Sequence, residues 1–370
     1  MTPYGGASPR ARLMAMLEHL QALATHCYYA GELDAGRRAC ERILSIKDVD
    51  QQTAQTTRQN RTWYTPAIRE LADVQLHRID VEPAHPGWSL FNPTLLTHGG
   101  DLLAIVRSSN YAIRDGRYVI PPADGQTIRT ENLLIRFGAD SQPVSCRRLA
   151  WDYPKTDYPV DGLEDCRLRS TATGVGISAT IRNASPFDGR CRIAVGDVDL
   201  TAAAVTNLKV LDGLNAQTHE KNWMPIEGRG GWLYACHHGG HVVTVDADPD
   251  LAGGWQLVQR AEAPPIASQF RGGSQLIPWR GGYLCLVHEV AHVNGQRTYE
   301  HRFVWFDEQL RISRLSQPFW FQARQIEFAA GLASLDGRLV ASFGVQDAEA
   351  WLMTITEEAA WSLLRPVTAD

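Results

Sequence analysis

The sequence lacks the features that mark several common functional classes. No apolar run approaches the ~20 residues of a membrane-spanning helix, and no glycine-rich loop follows a strand and opens a helix, as in nucleotide-binding folds. The seven cysteines are scattered, and no pair has the Cys-x-x-Cys spacing of a zinc site or a redox dithiol. The formal net charge of -5 gives no basic field to attract nucleic acid or an anionic membrane. We therefore expect a soluble protein with no metal, no cofactor and no nucleic-acid partner.

The composition is that of an ordinary globular protein, with 44% apolar and 21% charged residues. A chain of 370 residues has room for one large domain with an appendage, or for two domains. Glu18 and His19 interrupt the apolar positions near the N-terminus, so no signal-peptide core is predicted there. The cytoplasm is the expected location.

Helical periodicity is confined to the N-terminal part of the chain. Residues 8–46 are predicted to form two helices separated at Gly31, a hairpin similar to a single tetratricopeptide-like unit. Such a pair is either a packing accessory or a docking element for other proteins. The polar stretch 48–61 is predicted to be a connector or the start of an exposed helix. We expect an appendage over residues 1–60 and one large domain over residues 61–370.

A repeated layout replaces the helical periodicity from about residue 76. Each unit has polar or small anchor residues, a short apolar strand, a turn with Gly or Asp, and a second apolar strand. The units begin at residues 91, 163, 220, 271 and 326. This spacing is close to that of one four-stranded propeller blade. The sequence predicts a mainly β fold, a five-bladed β-propeller; a β-sandwich is the alternative but would not repeat the same polar anchors.

In a propeller, the anchors at the starts of the inner strands would converge at one end of the central channel. A converging set of polar groups in a concave site is typical of a binding site, although propeller axes also hold polar residues for structural reasons. The converging residues are Asn92, Glu164, Asp165, Lys221, Asn222, Arg271 and Glu327.

Glu164 and Asp165 are neighbours on one predicted strand, and neighbours on an ideal strand point to opposite faces. We expect Asp165 to face the channel. Glu164 and Arg167 are expected to form a buried ion pair on the other face.

Five short motifs resemble the blade signatures of glycoside hydrolase family 130. They are "FNP" from 91, "GLEDCRL" from 162, "EKNWMP" from 220, "RGGSQ" from 271 and "SFGVQD" from 342. The resemblance spans roughly residues 88–350. It implies a five-bladed propeller acting on β-mannosides, in a family of mostly inverting phosphorylases with a related group of mannosyltransferases that use mannose 1-phosphate. "YEHRFVWFD" and "IEFAAGL" are more similar to propeller domains fused behind helical repeats and glycosyltransferase modules in surface-polysaccharide proteins.

The resemblance also implies roles for individual residues. Asp165 corresponds to the catalytic acid, and Asn92 and Asp347 to residues that hold the sugar. Lys221 corresponds to a position near the phosphate, and Arg129 is a looser phosphate match. Cys166 is a departure, because the family usually has proline there.

We expect an inverting phosphorylase or glycosyltransferase that acts on a mannoside-like sugar, with a sugar phosphate or nucleotide sugar as donor and a carbohydrate as acceptor. Phosphate is itself a nucleophile, so a phosphorylase needs cations rather than a second carboxylate. The expected sugar-binding residues are Asn92, Asn110, Asn222, Glu327 and Asp347. The expected phosphate-binding residues are Arg129, Lys221, Arg271 and Arg302.

Two alternatives to this function stay open. An inverting hydrolase of the same fold would need a second carboxylate, for which Glu327 is the candidate. A non-catalytic glycan-binding propeller would use its helical hairpin to dock other glycan-biosynthesis proteins. The histidines near the predicted strand ends do not predict a metal site, because none of their pairs is supported by a third ligand; they are His237, His238, His288 and His301.

Overall fold

Three helices of two turns or more open the chain, and a short fourth follows them. The computed structural model describes residues 8–114, 116–138, 141–183, 189–211, 218–247, 255–293 and 295–367. The helices are α1 (Pro9–Ala30), α2 (Leu33–Ser45), α3 (Gln51–Arg61) and α4 (Ile68–Leu71). The side chain of Ser8 caps α1 by accepting from the Ala11 amide, and Gly31 ends it at a φ of 75°. None of the described helices is long and apolar enough to cross a membrane.

The polar stretch 48–61, predicted to be a connector or the start of an exposed helix, is largely the helix α3, which buries Ala54, Thr57 and Arg61. Asp50 caps it by accepting from the Thr53 amide at 2.9 Å. The first two helices pack through a small apolar cluster that includes Ala24, Cys40 and Ile43. The helical part is therefore a three-helix unit.

Five antiparallel sheets follow, and the prediction of a five-bladed propeller is confirmed. An early strand, β1 (Val74–Arg78), precedes them. Blade 1 contains β2 (Ser89–His98), β3 (Asp101–Ser109), β6 (Ile128–Phe137) and β7 (Pro143–Arg148). A separate hairpin of β4 (Ala112–Arg114) and β5 (Arg117–Val119) is inserted between its second and third strands, and β8 (Val160–Asp161) pairs with β6.

The second and third blades are regular four-stranded meanders. Blade 2 contains β9 (Glu164–Thr171), β10 (Gly174–Ile181), β11 (Arg192–Asp199) and β12 (Ala204–Leu211). Blade 3 contains β13 (Met224–Pro225), β14 (Trp232–His238), β15 (His241–Ala247) and β16 (Trp255–Glu262).

The last two blades each recruit a strand from elsewhere in the chain. Blade 4 contains β17 (Arg271–Gly272), β18 (Ile277–Trp279), β19 (Gly282–Val293), β20 (Gln296–Phe306), β21 (Ile312–Leu315) and β25 (Arg365–Pro366). Blade 5 contains β22 (Glu327–Leu335), β23 (Arg338–Val345) and β24 (Glu349–Thr356). Its outer strand is β1, which comes from before blade 1 and so closes the ring. The helix α5 (Glu357–Leu363) connects β24 to β25.

The core lies between the blades. Separate apolar clusters fill the spaces between blades 5 and 1, 1 and 2, 2 and 3, 3 and 4, and 4 and 5. Leu44 of α2 and Ala54 of α3 belong to the cluster between blades 3 and 4. The helical unit is thus packed into the propeller core at one of its seams.

A buried ionic cluster also joins the helical unit to blade 4. Arg61, at the end of α3, lies 2.6 Å from Glu300 and 3.0 Å from Glu289. Arg302 lies 2.7 Å from Glu289 and 2.6 Å from Glu41 of α2. We call these five residues the helix-side cluster.

Candidate active site

In three consecutive blades, a polar residue in the first strand or just before it adopts the left-handed backbone conformation. Asn92, Asp165 and Asn222 have φ angles of 49°, 48° and 58°. Asn and Asp tolerate this conformation because their short side chains can bond locally. The strand register shifts beside Asn92 and Asp165, so both strands carry a β-bulge there. A bulge interrupts the alternation of side chains between faces, and the Asn92 amide donates to the Asp165 carboxylate at 2.9 Å.

Arg107 lies at the centre of this cluster and was not among the predicted site residues. Its guanidinium is buried and lies 3.1 Å from Asp165 Oδ1 and 3.3 Å from Glu164 Oε2. It also covers the ring of Phe91, with 5.0 Å from Cζ to the ring centroid. The expected pair of Glu164 with Arg167 on the opposite face is therefore wrong. The left-handed Asp165 allows two successive carboxylates to reach one guanidinium.

Arg167 connects blade 2 to blade 4 instead. Its Nε donates to the Gly273 carbonyl at 2.7 Å, and its Nη1 donates to the carbonyls of Cys166, at 3.1 Å, and Asp165. The side chain is buried against the ring of Phe328. Arg167 holds the backbone on which Asp165 stands, so its role is structural.

Asp347 joins the cluster from blade 5. It follows β23 with a φ of 50°, and its Oδ2 accepts a hydrogen bond from the Tyr111 hydroxyl at 2.8 Å. Tyr111 follows β3 and lies against Phe91 and Arg107. Side chains from blades 1, 2 and 5 thus meet at one end of the channel.

The two aspartates have pKa values shifted in opposite directions. Burial alone would raise the pKa of Asp165, but Arg107, Arg167 and the hydrogen bond from Asn92 hold it below its ordinary value. Burial raises the pKa of Asp347, and this effect exceeds the opposing effects of Arg107 and Tyr111. Asp165 is therefore the carboxylate that stays charged, and Asp347 is the one that protonates more easily. Environments that separate two carboxyl pKa values are typical of acid–base sites.

The β4–β5 hairpin lies beside the cluster. Tyr118 on β5 is 59% exposed, and its ring centroid is 5.0 Å from that of Tyr111. Burial raises the pKa of Tyr118 and Asp347 adds to the increase, whereas Arg297, Arg107 and Lys221 act in the opposite direction. Groups from several blades therefore act on this phenol.

Two of the predicted phosphate-binding cations lie near the starts of inner strands. Lys221 is exposed; desolvation acts to lower the pKa of its ammonium, but Glu164, Cys191 and Asp165 raise it. Arg271 is exposed at the start of β17, and its pairing partner on β19 is His288. Arg129 is exposed at the start of β6, where it forms an ion pair with Asp124 at 3.1 Å.

Glu327 occupies the repeat position of an anchor but does not face the channel. Its carboxylate is fully buried and accepts the backbone amides of Phe321, Gln322 and Ala323 at 2.6, 2.8 and 3.0 Å. Burial raises the pKa of Glu327 to about 7. Its carboxylate organises the loop before β22, so the prediction that it binds sugar is wrong.

Two further predicted residues have structural partners. The Asn110 amide donates to the Thr127 carbonyl at 3.0 Å and accepts from the Arg129 amide at 2.8 Å, so it fixes the start of β6. Arg302 is buried in the helix-side cluster, where carboxylates occupy its guanidinium. Neither residue offers its polar groups to a sugar or a phosphate, and both predictions are wrong.

Arg107 and Tyr111 carried only a weak sequence signal. Arg107 ends the apolar run "DLLAIVR" of β3. A charge that closes an apolar strand needs a buried partner, but the sequence does not show that its partners come from the next blade. Among the described residues, no group of three or more His, Cys, Asp or Glu side chains that could hold a metal ion is found.

Solved structures share this fold. A glycosyl hydrolase from Bacteroides ovatus is 14% identical, with a TM-score of 0.52 over 83% of this chain and 99% of the hydrolase. A glycoside hydrolase of the GH130 family of mannoside phosphorylases, which targets β-1,2 mannosidic linkages in Candida mannan, gives the same identity, TM-score and coverage. No protein-family profile matches the sequence, and no curated protein matches it. At this identity the similarity shows the fold, a five-bladed propeller of the kind found in glycoside hydrolase family 130.

Proposed function

We propose that the protein is a carbohydrate-active enzyme that transfers a mannoside-like sugar, with inversion, from a phosphorylated donor to a carbohydrate acceptor. The observation that carries the proposal is Asp165, a partly exposed carboxylate held by Arg107 and Asn92. The fold, which is shared with the glycoside hydrolases described above, supports a reaction on sugars.

The charged state of Asp165 suits the synthetic direction. In a single displacement, the acceptor hydroxyl attacks the anomeric carbon, a new glycosidic bond forms, and the bond from that carbon to the donor phosphate oxygen breaks. The phosphate leaves with the electron pair, and Asp165 takes the proton of the acceptor hydroxyl. In the reverse direction the same carboxyl group protonates the glycosidic oxygen, as microscopic reversibility requires.

Cations near Asp165 supply the phosphate contacts in this proposal. Lys221 is the first candidate because its charge acts directly on Glu164 and Asp165. Arg271 is the second, since it begins the inner strand of the next blade. Arg129 is the third and would first have to leave Asp124. Charge-assisted contacts of this type are the strong ones in phosphate recognition.

Polar and aromatic groups around the channel supply the sugar contacts. Asn92, Asn222 and the pair of Tyr111 and Asp347 offer donors and acceptors for hydroxyl groups. Tyr118 offers an exposed aromatic face on which a sugar ring can stack.

An inverting hydrolase is the second candidate, and one observation favours it. Such an enzyme needs two carboxyl groups with different pKa values on opposite sides of the sugar, and Asp165 and Asp347 have such values. In that reaction one of them would activate water.

A screen of sugar 1-phosphates and nucleotide sugars against simple sugar acceptors tests the proposal, with release of phosphate or nucleotide as the readout. We expect release that depends on the acceptor and is lost in Asp165→Asn. Hydrolysis of β-mannosides without any dependence on phosphate would favour the second candidate. Glycan binding without turnover of any donor would contradict both and identify a binding propeller.

A further inference from the structure

A large groove lies beside the seam at which the helical unit packs against the propeller. It has a volume of about 1200 Å³ and lies between α2 and α3 on one side and loops of blades 3 and 4 on the other. Its propeller wall includes the β14–β15 turn, the segment after β16 and the end of β19. None of the candidate active-site residues lines it.

The groove opens at the same end of the propeller as the candidate active site. Arg271, which begins the inner strand of blade 4 at that end, pairs with His288 of β19. β19 continues beyond this pair to Val293 and turns back into β20 at Gln296, so the β19–β20 hairpin projects from that end. Val290 and His292 of the hairpin line the groove.

The same hairpin also reaches the candidate active site. Arg297, near its tip, is one of the charges that act on Tyr118. The hairpin therefore has the groove on one flank and the candidate site within electrostatic reach.

The walls of the groove are fixed relative to each other. Arg61 at the end of α3 and Arg302 of β20 share the carboxylate of Glu289, which belongs to the hairpin. Glu41 of α2 closes the network on Arg302. Because removing one member of a buried ion pair is costly, the helices are held in register with blade 4, and the groove exists without a ligand.

The lining mixes polar side chains with apolar ones such as Ile46 and Val49, and it carries no net charge. Gln51, Gln55 and Gln59 are four residues apart on α3 and so lie on one helical face. His241 and His292 face them from the propeller wall. Amide and imidazole groups both donate and accept hydrogen bonds, as sugar hydroxyls do.

The charged residues of the lining cancel each other. Lys47 and Arg58 are balanced by Asp48 and Glu262, which disfavours a strongly charged ligand. No aromatic side chain is found among the described lining residues. Affinity must therefore come from many weak contacts along an extended chain.

We propose that this groove binds a neutral oligosaccharide longer than a disaccharide, the acceptor chain whose end is extended at Asp165. The proposal rests on the proposed function for the position of that end. The groove itself is defined by its own lining and can be tested alone. In this proposal the helical unit forms part of the substrate-binding surface.

Binding of β-1,2-linked mannobiose and mannohexaose, measured by isothermal titration calorimetry on the full chain, tests the groove. Gln55→Trp should block it, since Gln55 is exposed within it. Gln52→Trp is the matched control, because Gln52 is exposed on the same helix but outside the lining. We expect the hexaose to bind the wild type and Gln52→Trp at least tenfold more tightly than the biose. In Gln55→Trp this advantage should fall below twofold, with biose binding unchanged.

Several outcomes would overturn the proposal. Equal affinity for the two lengths in the wild type would do so, as would a length advantage that survives Gln55→Trp. Tighter binding of an acidic oligogalacturonate of equal length, sensitive to Gln55→Trp, would identify an anionic ligand instead. If short acceptors are turned over and acceptor length has no effect, the proposed role of the groove is wrong but the proposed transfer reaction is supported. If affinity depends on glycan length but no donor is turned over, the proposed transfer reaction is wrong and the groove is a glycan-binding site only.

Discussion

Two clusters of arginines and carboxylates lie in this protein, and they differ in how completely their charges are matched. In the helix-side cluster, Arg61 and Arg302 are surrounded by Glu41, Glu289 and Glu300, and both arginines are almost fully buried. In the candidate site, Arg107 forms ion pairs with both Glu164 and Asp165, and the charge of Asp347 also acts on it. The side chain of Asp165 keeps 22% of its surface exposed.

The helix-side cluster is structural, whereas the other cluster is the candidate site. In the first, the guanidiniums and carboxylates bond mainly to each other and to blade 4, so little is left for a ligand. In the second, two carboxylates share one guanidinium, and the pKa values of Asp165 and Asp347 are shifted in opposite directions. The number of charges is similar in the two clusters, so the number by itself does not identify a site. Incomplete pairing does, whereas exposure alone does not, because the Glu41 side chain of the helix-side cluster is 21% exposed and that of Asp165 is 22% exposed.

The largest expected effect is on the free energy of unfolding, when an arginine of the helix-side cluster is replaced. Replacing Arg61 with methionine leaves Glu289 and Glu300 without their shared partner inside the protein. We expect the free energy of unfolding to fall by about 3–5 kcal/mol, measured by urea denaturation. Arg37→Met is the matched control on α2, because it removes an ion pair with the exposed Asp34. The control should cost less than about 1 kcal/mol; equal losses would contradict the role assigned to the helix-side cluster.

The second prediction concerns acid stability. Burial alone would raise the pKa of Glu289, but Arg61 and Arg302 lower it from 4.5 to about 2. Because the folded pKa is depressed, this carboxylate contributes stability that is fully present above pH ~4.5 and is lost as the pH falls toward 2. The shift corresponds to about 3 kcal/mol. Unfolding free energies of the wild type between pH 5 and 2 should fall more steeply than those of Glu289→Gln, and parallel curves would refute the assignment.

Some of this could be predicted from the sequence, and the reasons for the failures are physical. The five blades were predictable because each inner strand starts with the same layout of polar anchors, and the convergence of Asn92 and Asp165 follows from it. Glu327 occupies an equivalent repeat position, yet its carboxylate turns to a neighbouring loop. Equivalent backbone positions therefore do not guarantee equivalent side-chain directions. The alternation rule failed at Asp165, because a left-handed residue does not obey it.

The role of Arg107 depends on distances between blades, which a single strand pattern does not encode. The same is true of Arg302, whose partner Glu41 lies in the helical unit. Long-range ion pairs join residues far apart in the chain, so their partners become visible only in three dimensions.

The third prediction concerns the candidate site. Replacing Lys221 with alanine should weaken use of a phosphorylated donor roughly tenfold to hundredfold, because charged hydrogen bonds contribute about 1.5–3 kcal/mol. Steady-state kinetics with varied donor and varied acceptor measures the change. Lys209→Ala, which removes an exposed lysine on the outer strand of blade 2, should have no effect. Equal losses for donor and neutral acceptor would show that Lys221 supports the fold and does not bind phosphate.

The smallest expected effect is at the β4–β5 hairpin. If Tyr118 stacks on a sugar ring, its replacement by alanine should raise the KM for sugar about twofold to tenfold, the range of an aromatic contact of about 0.5–1.5 kcal/mol. Tyr118→Phe keeps the ring and should restore the wild-type value. A phenylalanine variant as weak as the alanine variant would assign the effect to the hydroxyl group.

The central claim is that Asp165 moves the proton, and the most direct test uses the cleavage direction with two substrates. General acid catalysis is worth 10²–10⁴-fold, so Asp165→Asn should lose about that factor in turnover of an unactivated glycoside. A nitrophenyl glycoside needs no proton on its leaving group, and its turnover should fall less than about tenfold. Glu164→Gln is the matched control, because Glu164 shares Arg107 without a proton-transfer role, and it should lose much less. Equal losses of Asp165→Asn on both substrates, or full activity on the unactivated glycoside, would contradict the account.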